Sequence, residues 1–424
     1  MASIGSSYNV PPTDAASSAD IVIGISGTGG AGALEAAIGA ARSGIAEYLD
    51  PDRTRIVVAE SDPGSAAHQY AEADAPAGVP LTAVAYDVDS RDLLRLPYHG
   101  LPGRAHALRA LLEAARAAGA RACVVLDASL HHDVTPEHVR WLVRPIIDDQ
   151  MDFVTPYHPR HTADGAITKS ILYPMFRAVF GCAIRQPAAR EFGCSSAALQ
   201  HLLAQRVWEE VGRDEAIDIW MTTEAVCGGL RVSEAQLGPA EHVSDAVDAS
   251  TALSQIAGSL FVEVERRAAR WQRMRSPMPA CQVGPTTQPH GPEPVIDVRQ
   301  LIESFQLGYA DLQEVWAEIL PPVTLLQLKA LAHAPADRFR LDDRMWARIV
   351  YDFAVGHHLQ MIRREHLLGS LTPLYFGWLS AFVIRTQDAC AASVDERLDE
   401  VYRGFEAEKP YLISRWRWPE RFRS

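Results

Sequence analysis

The segment from 121 to 133 constrains the fold of this chain more than any other stretch. It reads RACVVLDASLHHD, and Val124, Val125 and Leu126 form a short apolar run with β-branched residues, as in a buried parallel strand. The run ends on Asp127. In open α/β sheets, ligands bind just beyond the carboxyl ends of the strands. The segment therefore predicts a central strand that brings an acidic side chain to a ligand-binding edge.

Two interpretations of Asp127 are open on this segment alone. A carboxylate at that position can hold a divalent cation, and the cation can hold phosphate groups. The alternative is a helix cap or turn residue, because Thr135, Pro136 and Glu137 open a predicted helix soon afterwards. The two interpretations differ in whether this edge of the sheet binds a ligand.

The composition limits the classes of protein that fit. The chain has 424 residues, of which 48% are hydrophobic and 22% charged, enough for two or three ordinary globular domains. A net charge of −13 argues against a general nucleic-acid-binding surface. The six cysteines form no CxxC pair, which is typical of buried thiols in a reducing compartment. We expect a cytoplasmic protein without a membrane span, since the apolar stretch 371–384 has the length of a core helix.

The first sixty residues are typical of a nucleotide-binding β–α–β unit. A predicted strand at 19–26 leads into a glycine-rich loop at 27–32, an Ala-rich helix and a second strand at 55–60. The loop matches the G-x-G-x-x-G pattern of dinucleotide-binding folds, and Glu60 stands where such folds bind a ribose. The match is weak, because small residues are common here and a tight turn also suits them. An NAD(P)-binding oxidoreductase is one hypothesis for the function.

Two arginines are candidates for binding an anion. Arg104 opens an amphipathic helix that ends at Gly119, and a cation there opposes the helix dipole, which indicates an anion close by. A solvated surface arginine is the alternative. Arg160 and Thr168 flank a predicted turn, and a guanidinium fork with a hydroxyl suits a small hydroxy-carboxylate. An ion pair between Arg160 and Asp164 is the structural alternative.

The chain divides into four predicted segments. Residues 1–18 are small and polar, and we expect them to be disordered. Residues 19–275 alternate strand and helix patterns, which predicts an α/β domain with a mostly parallel sheet. Six prolines within 276–294 predict a linker. Residues 295–424 show only helical periodicity, which predicts an all-helical C-terminal domain that is also the expected surface for a homo-oligomer.

Several ordered motifs resemble one family of enzymes. They are DAS at 127–129, DFVTPYHPRHTADGAIT at 152–168, RQPAAREFG at 185–193, IDIWMTTEA at 217–225 and LGPAEH at 237–242. Together they resemble the retaining GT-A glycosyltransferases of the mannosylglycerate and glucosylglycerate (glucosyl-3-phosphoglycerate) synthase type. The similarity covers roughly 20–275. It implies a GT-A, Rossmann-like nucleotide-sugar-binding domain that transfers a hexose to a small hydroxy acid such as D-glycerate.

The resemblance also implies a role for each matching residue. The implied catalytic residues are Asp218 and Glu191, and the implied donor-binding residues are Glu60, Arg104 and Asp127. The implied acceptor-binding residues are Arg160 and Thr168. The implied metal ligands are Asp127, Ser129 and His242. The implied cofactor is a divalent cation, Mg²⁺ or Mn²⁺. The implied partners are a nucleotide sugar and a small hydroxy acid.

The chain departs from the family pattern at four places. Ser129 replaces the second Asp of Asp-x-Asp, Arg104 replaces the Lys of Gly-Lys-Gly, and Ala189-Arg190 replaces the Gly-Gly before the acid. The glycine-rich loop replaces an Asn-Glu pair. We therefore expect a weakly bound cation, and Ser129→Asp is expected to tighten Mn²⁺ binding. A sugar-nucleotide-binding paralogue with little or no catalysis is a further hypothesis beside the transferase and the NAD(P) enzyme.

Overall fold

The structure is a computed structural model in which parts of the chain are described. The described residues are 18–27, 31–61, 79–86, 103–128, 134–161, 165–209, 217–239, 249–274, 277–289, 295–387 and 390–417. Several predictions fall outside them: the disordered N-terminus, most of the glycine-rich loop, and the side chains of Ser129, Asp164 and His242.

A mostly parallel sheet organises the first part of the chain. Its strands are β1 (Ile21–Ser26), β2 (Thr54–Glu60), β3 (Leu81–Ala85), β4 (Ala122–Asp127), β5 (Phe153–Tyr157), β7 (Phe192–Ser195), β8 (Val232–Gln236) and β10 (Cys281–Val283). They lie in the order β10-β8-β5-β7-β4-β1-β2-β3, and β7 alone runs antiparallel to its neighbours. Two short strands, β6 (Cys182–Ala183) and β9 (Met278–Pro279), pair separately. The predicted α/β class with a mostly parallel sheet is confirmed.

Strand β4 lies in the middle of this sheet, as its apolar run predicts. All six of its residues are buried. Val124 and Leu126 face one hydrophobic cluster and Cys123 and Val125 face the other, so helices cover both faces of the sheet. The strand pairs with β1 in a register that places Asp127 beside Ser26. The two side chains therefore meet at the carboxyl edge.

Helices pack on both faces of the sheet, and the helices after residue 295 form a further packed region. They are α1 (Ala31–Tyr48), α2 (Arg104–Ala117), α3 (Pro136–Ile147), α4 (Tyr173–Phe180), α5 (Ser196–Leu203), α6 (Ile217–Cys227), α7 (Ala249–Arg266), α8 (Ala268–Trp271), α9 (Val298–Ile319), α10 (Pro322–Ala332), α11 (Asp343–His358), α12 (Arg364–Thr386) and α13 (Ala391–Arg417). The region from 295 onward is helical among the described residues, which agrees with the prediction.

The helical region shares its core with the α/β part. One hydrophobic cluster runs from α4 and α7 into α9 and α11 to α13. Buried tryptophans cross the junction: the indole N–H of Trp346 donates to the Ser170 carbonyl at 2.9 Å, although the two residues are far apart in sequence. The helical region and the α/β part are therefore packed as one body at this junction.

Helix α12 is long and apolar enough to cross a membrane by length and composition alone. However, 72% of its apolar window is buried inside the protein. Its Trp378 packs against Trp346 with ring centroids 5.9 Å apart. These contacts support the expectation that the stretch 371–384 is a core helix.

The proline-rich stretch 276–294 is more than the linker that we expected. Its residues Cys281–Val283 form β10, which pairs in parallel with β8 at the edge of the sheet. This triplet contains no proline, so its backbone N–H groups are available to the ladder. Pro279 lies in the short strand β9, which has a single neighbour. The prolines thus restrict this segment to edge strands without excluding it from the sheet.

Candidate functional site at the carboxyl edge of the sheet

Arg104 is the centre of the polar cluster at the carboxyl edge. It is the first residue of α2, and Gly103 before it has a φ of 78°, a conformation that glycine adopts without strain. The guanidinium is buried. Its Nη1 donates to Ser26 Oγ at 2.6 Å and lies 3.1 Å from Asp127 Oδ2. The end of β1, the end of β4 and the start of α2 are therefore tied together by one side chain.

Asp218 is the second carboxylate that Arg104 holds. It lies in the first turn of α6, and its Oδ1 accepts from Nε at 3.2 Å and from Nη2 at 3.1 Å. Burial lowers the pKa of Arg104, but Asp218 and Asp127 more than offset this, so the net pKa is raised. The anions that contact Arg104 are thus two carboxylates of the chain itself, and its role in donor binding stays a prediction.

Arg190 supplies a second guanidinium to Asp127. Its Nη2 lies 2.8 Å from Asp127 Oδ2, and its carbonyl oxygen accepts a hydrogen bond from Arg104. Burial lowers the pKa of Arg190; Asp127 opposes that effect and Arg104 adds to it. Sequence reasoning treated this residue only as a departure from a Gly-Gly pair. A cation directly before a candidate catalytic acid was the signal that could have identified it.

This arrangement bears on the predicted cation at Asp127. The carboxylate is fully buried and lies between two guanidiniums. A cation bound to it would have to displace or repel both, so the described residues do not fit a cation there. Ser129 and His242 lie outside the described residues. The metal set Asp127, Ser129 and His242 stays a prediction.

Glu191 links this cluster to a pair of histidines. It is fully buried just before β7, and its Oε1 accepts from the backbone N–H of Asp127 at 3.4 Å. Its Oε2 lies 3.8 Å from Nε2 of His158, which follows β5 directly. The other ring nitrogen of His158, Nδ1, lies 3.1 Å from the Gly238 carbonyl oxygen. The position of His158 after a strand was the sequence signal that was missed.

His138 completes a group of three converging side chains. It lies in the first turn of α3, where the Thr135 backbone N–H donates to its Nδ1 at 3.0 Å. One ligand atom from each of His138, His158 and Glu191 lies within 4.8 Å of the others, and all three residues are buried. These three could hold a metal ion. The helix-start pattern around Thr135 concealed this, because it accounts for His138 as part of a cap.

A cavity of about 930 Å³ opens beside Glu191. Its lining includes both predicted acceptor residues, Arg160 and Thr168, together with Arg190 and Glu191. Lys169 fixes the segment before it by donating from Nζ to the Arg160 carbonyl at 2.9 Å. The structure therefore brings the predicted acceptor pair and one predicted catalytic acid to the same cavity.

The helical region closes one side of this cavity. Residues Leu398, Asp399 and Tyr402 of α13 line it. The Tyr402 ring packs edge-on against Tyr173 of α4, with centroids 4.6 Å apart. Helix α13, to which the sequence assigned no role in the site, thus contributes to the wall of the cavity.

Glu60 is set apart from the rest of the predicted donor site. It is buried at the end of β2, and its carbonyl oxygen accepts from the Tyr86 N–H at 2.8 Å. Strand β1 lies between β2 and β4, so Glu60 shares an edge with Asp127 without lying on an adjacent strand. The structure brings Arg104 and Asp127 into contact and leaves Glu60 two strands away.

Comparison with known proteins gives matches among solved structures. No protein-family profile matches the sequence, and no curated protein matches it. Glucosyl-3-phosphoglycerate synthase from Mycobacterium tuberculosis, in complex with Mn²⁺, UDP and glucosyl-3-phosphoglycerate, is 18% identical with a TM-score of 0.39. That match covers 57% of this chain and 80% of the synthase.

Two further structures are similar to the same degree. The same synthase with Mn²⁺, UDP-glucose and phosphoglyceric acid is 17% identical over 60% of this chain and 82% of its own, with a TM-score of 0.39. A mycobacterial protein is 21% identical over 60% of this chain and 76% of its own, with a TM-score of 0.40. Identities and TM-scores this low leave the functional case to the site of this chain.

Proposed function

We propose that this chain is a GT-A-type glycosyltransferase that uses a nucleotide sugar and moves its hexose to a small hydroxy acid such as D-glycerate. The observation that carries the proposal is the single cavity that joins Arg160 and Thr168 to Arg190 and Glu191. An acceptor held by the first pair faces the charged edge of the sheet, where α/β proteins bind nucleotides.

The donor side of the site needs positive charge. A nucleoside diphosphate leaves with developing negative charge on its phosphate oxygens, and fixed guanidiniums stabilise such charge strongly. Arg104 and Arg190 lie at the carboxyl edge and are held in position by Asp127. Arg190 also lines the cavity from which a diphosphate would approach, whereas Arg104 is held by Asp127, Asp218 and Ser26.

The reaction centre needs carboxylates near the anomeric carbon, which becomes oxocarbenium-like. Glu191 lines the cavity, and Asp218 is 24% exposed and held by Arg104. We propose that the acceptor hydroxyl attacks from the face that the phosphate leaves. The bond from C1 to the phosphate oxygen breaks, a bond from C1 to the acceptor oxygen forms, and the hydroxyl proton passes to the leaving phosphate. The anomeric configuration is then retained.

The proposed acceptor site consists of the Arg160 guanidinium and the Thr168 hydroxyl. Arg160 is exposed and lines the cavity, and Thr168 lines it as well. A bidentate contact between guanidinium and carboxylate fixes orientation as well as charge. This selects a small hydroxy acid over a neutral alcohol.

A binding protein with little or no catalysis is the second candidate function. The observation that favours it is the pairing of both Asp127 and Asp218 with Arg104. Carboxylates engaged in this way are less able to stabilise a positive anomeric carbon. The described residues do not test the NAD(P) hypothesis, because most of the glycine-rich loop lies outside them.

One assay separates the candidates. The chain is incubated with D-glycerate and UDP-, GDP- or ADP-sugars, each with and without Mg²⁺ or Mn²⁺, and products are identified by mass spectrometry. Melting temperatures are recorded in parallel, because a ligand that binds only the folded state raises them. A glycosylated hydroxy acid supports the transferase. A melting shift without product supports the binding protein, and a saturable NAD(P) titration that is lost in Glu60→Ala overturns both.

A further inference from the structure

The described charges at the sheet edge do not suit a diphosphate by themselves. Three carboxylates, from Asp127, Asp218 and Glu191, meet two guanidiniums, from Arg104 and Arg190. These five side chains therefore include one more carboxylate than guanidinium. A diphosphate donor adds further negative charge at this edge, which an additional cation would offset.

Two buried imidazoles lie beside one of these carboxylates. His138 and His158 are both buried, and their ring centroids are 5.6 Å apart. With Glu191 they present three ligand atoms within 4.8 Å of one another. The three residues come from α3, the end of β5 and the start of β7, so the fold rather than the local sequence assembles the group.

The orientation of His158 suits a metal ligand. Its Nδ1 is 3.1 Å from the Gly238 carbonyl oxygen, which can only accept, so Nδ1 carries the proton. The lone pair is then on Nε2, which faces Glu191 Oε2 at 3.8 Å. Histidines that bind metal usually donate their other N–H to a carbonyl or carboxylate in this way.

The distances require a modest contraction when an ion binds. Bonds of about 2.1 Å to a tetrahedral ion place neighbouring ligand atoms roughly 3.4 Å apart. The His158–Glu191 pair is 3.8 Å apart, and the widest separation in the group is 4.8 Å or less. Side-chain movements of about 1 Å therefore close the group around an ion. His138 must also change tautomer, because its Nδ1 accepts from the Thr135 N–H in this structure; when Nε2 binds the ion, Nδ1 carries the proton and can donate to Thr135 Oγ1, which lies 2.9 Å away.

We propose that His138, His158 and Glu191 bind a divalent transition-metal ion, with Zn²⁺ as the best match. Two imidazoles and one carboxylate favour Zn²⁺ over Mg²⁺, which prefers oxygen ligands. His158 and Glu191 line the cavity, so a fourth position of the ion is open to it. The site is distinct from the set Asp127, Ser129 and His242. Binding itself does not depend on the proposed function, whereas its role as the additional cation does. With the ion bound, Glu191 serves as its ligand, and Asp218 is the carboxylate left to stabilise the anomeric carbon.

The test measures the metal directly. The full chain is stripped with a chelator and titrated with Zn²⁺ alone in a calorimeter, and bound zinc is counted by elemental analysis. We expect one tightly bound ion per chain. His158→Gln and Glu191→Gln each remove one ligand, and each should weaken Zn²⁺ binding at least about 100-fold, since even outer-shell changes cost 10- to 100-fold.

The matched control is His201→Gln. His201 also contacts a glutamate, with its Nε2 2.7 Å from Glu224 Oε1, but it is not part of the cluster. This variant should bind Zn²⁺ like the parent. The inference is overturned if the parent binds no zinc, or if both His158→Gln and Glu191→Gln bind it unchanged. It is also overturned if Asp127→Asn abolishes binding while His158→Gln keeps it.

A measurement on the parent protein covers the case in which the variants do not fold. Co²⁺ replaces zinc in such sites and reports its ligand geometry by its visible absorption. Intense bands from four- or five-coordinate Co²⁺ support the inference, and the weak bands of six-coordinate Co²⁺ contradict it. Metal bound in a chain that makes no glycosylated product leaves this inference standing while the proposed function fails.

Discussion

Two buried carboxylates, Asp127 at the sheet edge and Asp352 in the helical region, are both fully buried and both paired with arginine. The Tyr411 hydroxyl donates its one proton to the Asp352 carboxylate, with its oxygen 2.9 Å from Oδ1 and 2.8 Å from Oδ2, and Arg415 Nε donates to Oδ1 at 2.8 Å. Asp127 meets two guanidiniums, and one of them, from Arg190, lines the cavity. Burial and ion pairing are therefore common to both clusters, and they do not mark a functional site by themselves.

The two clusters differ in their surroundings. The partners of Asp352 come from α13, which packs against α11 in the helical core. The cluster at Asp127 contains further carboxylates, from Asp218 and Glu191, and borders a cavity of about 930 Å³. An excess of charged groups beside an open volume is the feature that favours ligand binding at one cluster over the other.

The largest expected effect is from Arg104→Met. This change leaves Asp127 and Asp218 with less compensation in a buried setting, which should cost about 3–5 kcal/mol of unfolding free energy. Urea denaturation measures it. The control is Arg231→Met, because Arg231 is 55% exposed and its pair with Asp152 should contribute at most about 1 kcal/mol. Equal small losses in both variants would show that the edge cluster is no more strongly coupled than a surface pair.

The contribution of Asp352 to the free energy of unfolding should depend on pH. Burial raises the pKa of Asp352 to about 6 although Arg415 and Tyr411 lower it. A carboxyl whose pKa is higher in the folded state contributes stability below about pH 4, and that contribution is lost as pH rises through about 6. Asp352→Asn does not titrate. Its unfolding free energy relative to the parent should therefore rise by about 2–2.5 kcal/mol between pH 4 and 7, at ~1.4 kcal/mol per pKa unit, because about half of the unfolded carboxyl is already ionised at pH 4.

The control for this pH series is Asp337→Asn. Asp337 is 76% exposed, so its variant should differ from the parent by nearly the same amount at every pH. If the Asp352→Asn difference is equally flat, burial does not set the protonation of Asp352 and the contrast with the edge cluster loses its basis.

Two glycines give a smaller and more selective comparison. A Cβ on Gly193 would lie 2.3 Å from the Leu142 carbonyl oxygen, and one on Gly308 would lie 2.3 Å from Pro373 Cβ. Alanine at either position should cost about 1–3 kcal/mol through overpacking. Only Gly193→Ala should also reduce product formation, because β7 positions Glu191.

Gly369→Ala is the control. A Cβ there meets open space, so the variant should gain about 0.5–1 kcal/mol of unfolding free energy. Loss of activity in Gly308→Ala at a temperature where it is folded would contradict this division.

Much of the fold was predictable from local patterns. The apolar run before Asp127 predicted a central strand, and the strand is fully buried. Helical periodicity after 295 predicted the helical region. The strand β10 was not predicted, because prolines around a three-residue strand dominate the pattern and only pairing with β8 makes it a strand. The helices α4 and α7 share one core with the helical region. That core depends on contacts between distant segments, and the periodicity of a single segment does not encode them.

The site was predictable to a lesser degree. The helix dipole indicated an anion near Arg104, and the structure has carboxylates there. Arg160 and Thr168 line one cavity, and their roles in acceptor binding stay predictions. Arg190 and His158 were missed as partners of Asp127 and Glu191. Their contacts join residues that are tens of positions apart, across strands whose order a single sequence does not determine.

The central claim is that the cavity holds a hydroxy acid through Arg160 and Thr168. The most direct test is the acceptor dependence of D-glycerate glycosylation at saturating donor in Arg160→Ala. Losing a bidentate guanidinium–carboxylate contact of roughly 1.5–3 kcal/mol should weaken acceptor use about ten- to a hundredfold. Arg160→Lys should be impaired as well, because it keeps the charge without the fork, and Thr168→Val should cost less.

Donor binding should be unchanged in Arg160→Ala. The control variant Arg144→Ala should bind both donor and acceptor like the parent, since Arg144 is exposed on α3 and pairs with Asp148. The acceptor constant should rise in Arg160→Ala while donor affinity stays at the parent value. An Arg160→Ala variant that glycosylates D-glycerate as well as the parent does, or that loses donor affinity instead, would contradict it.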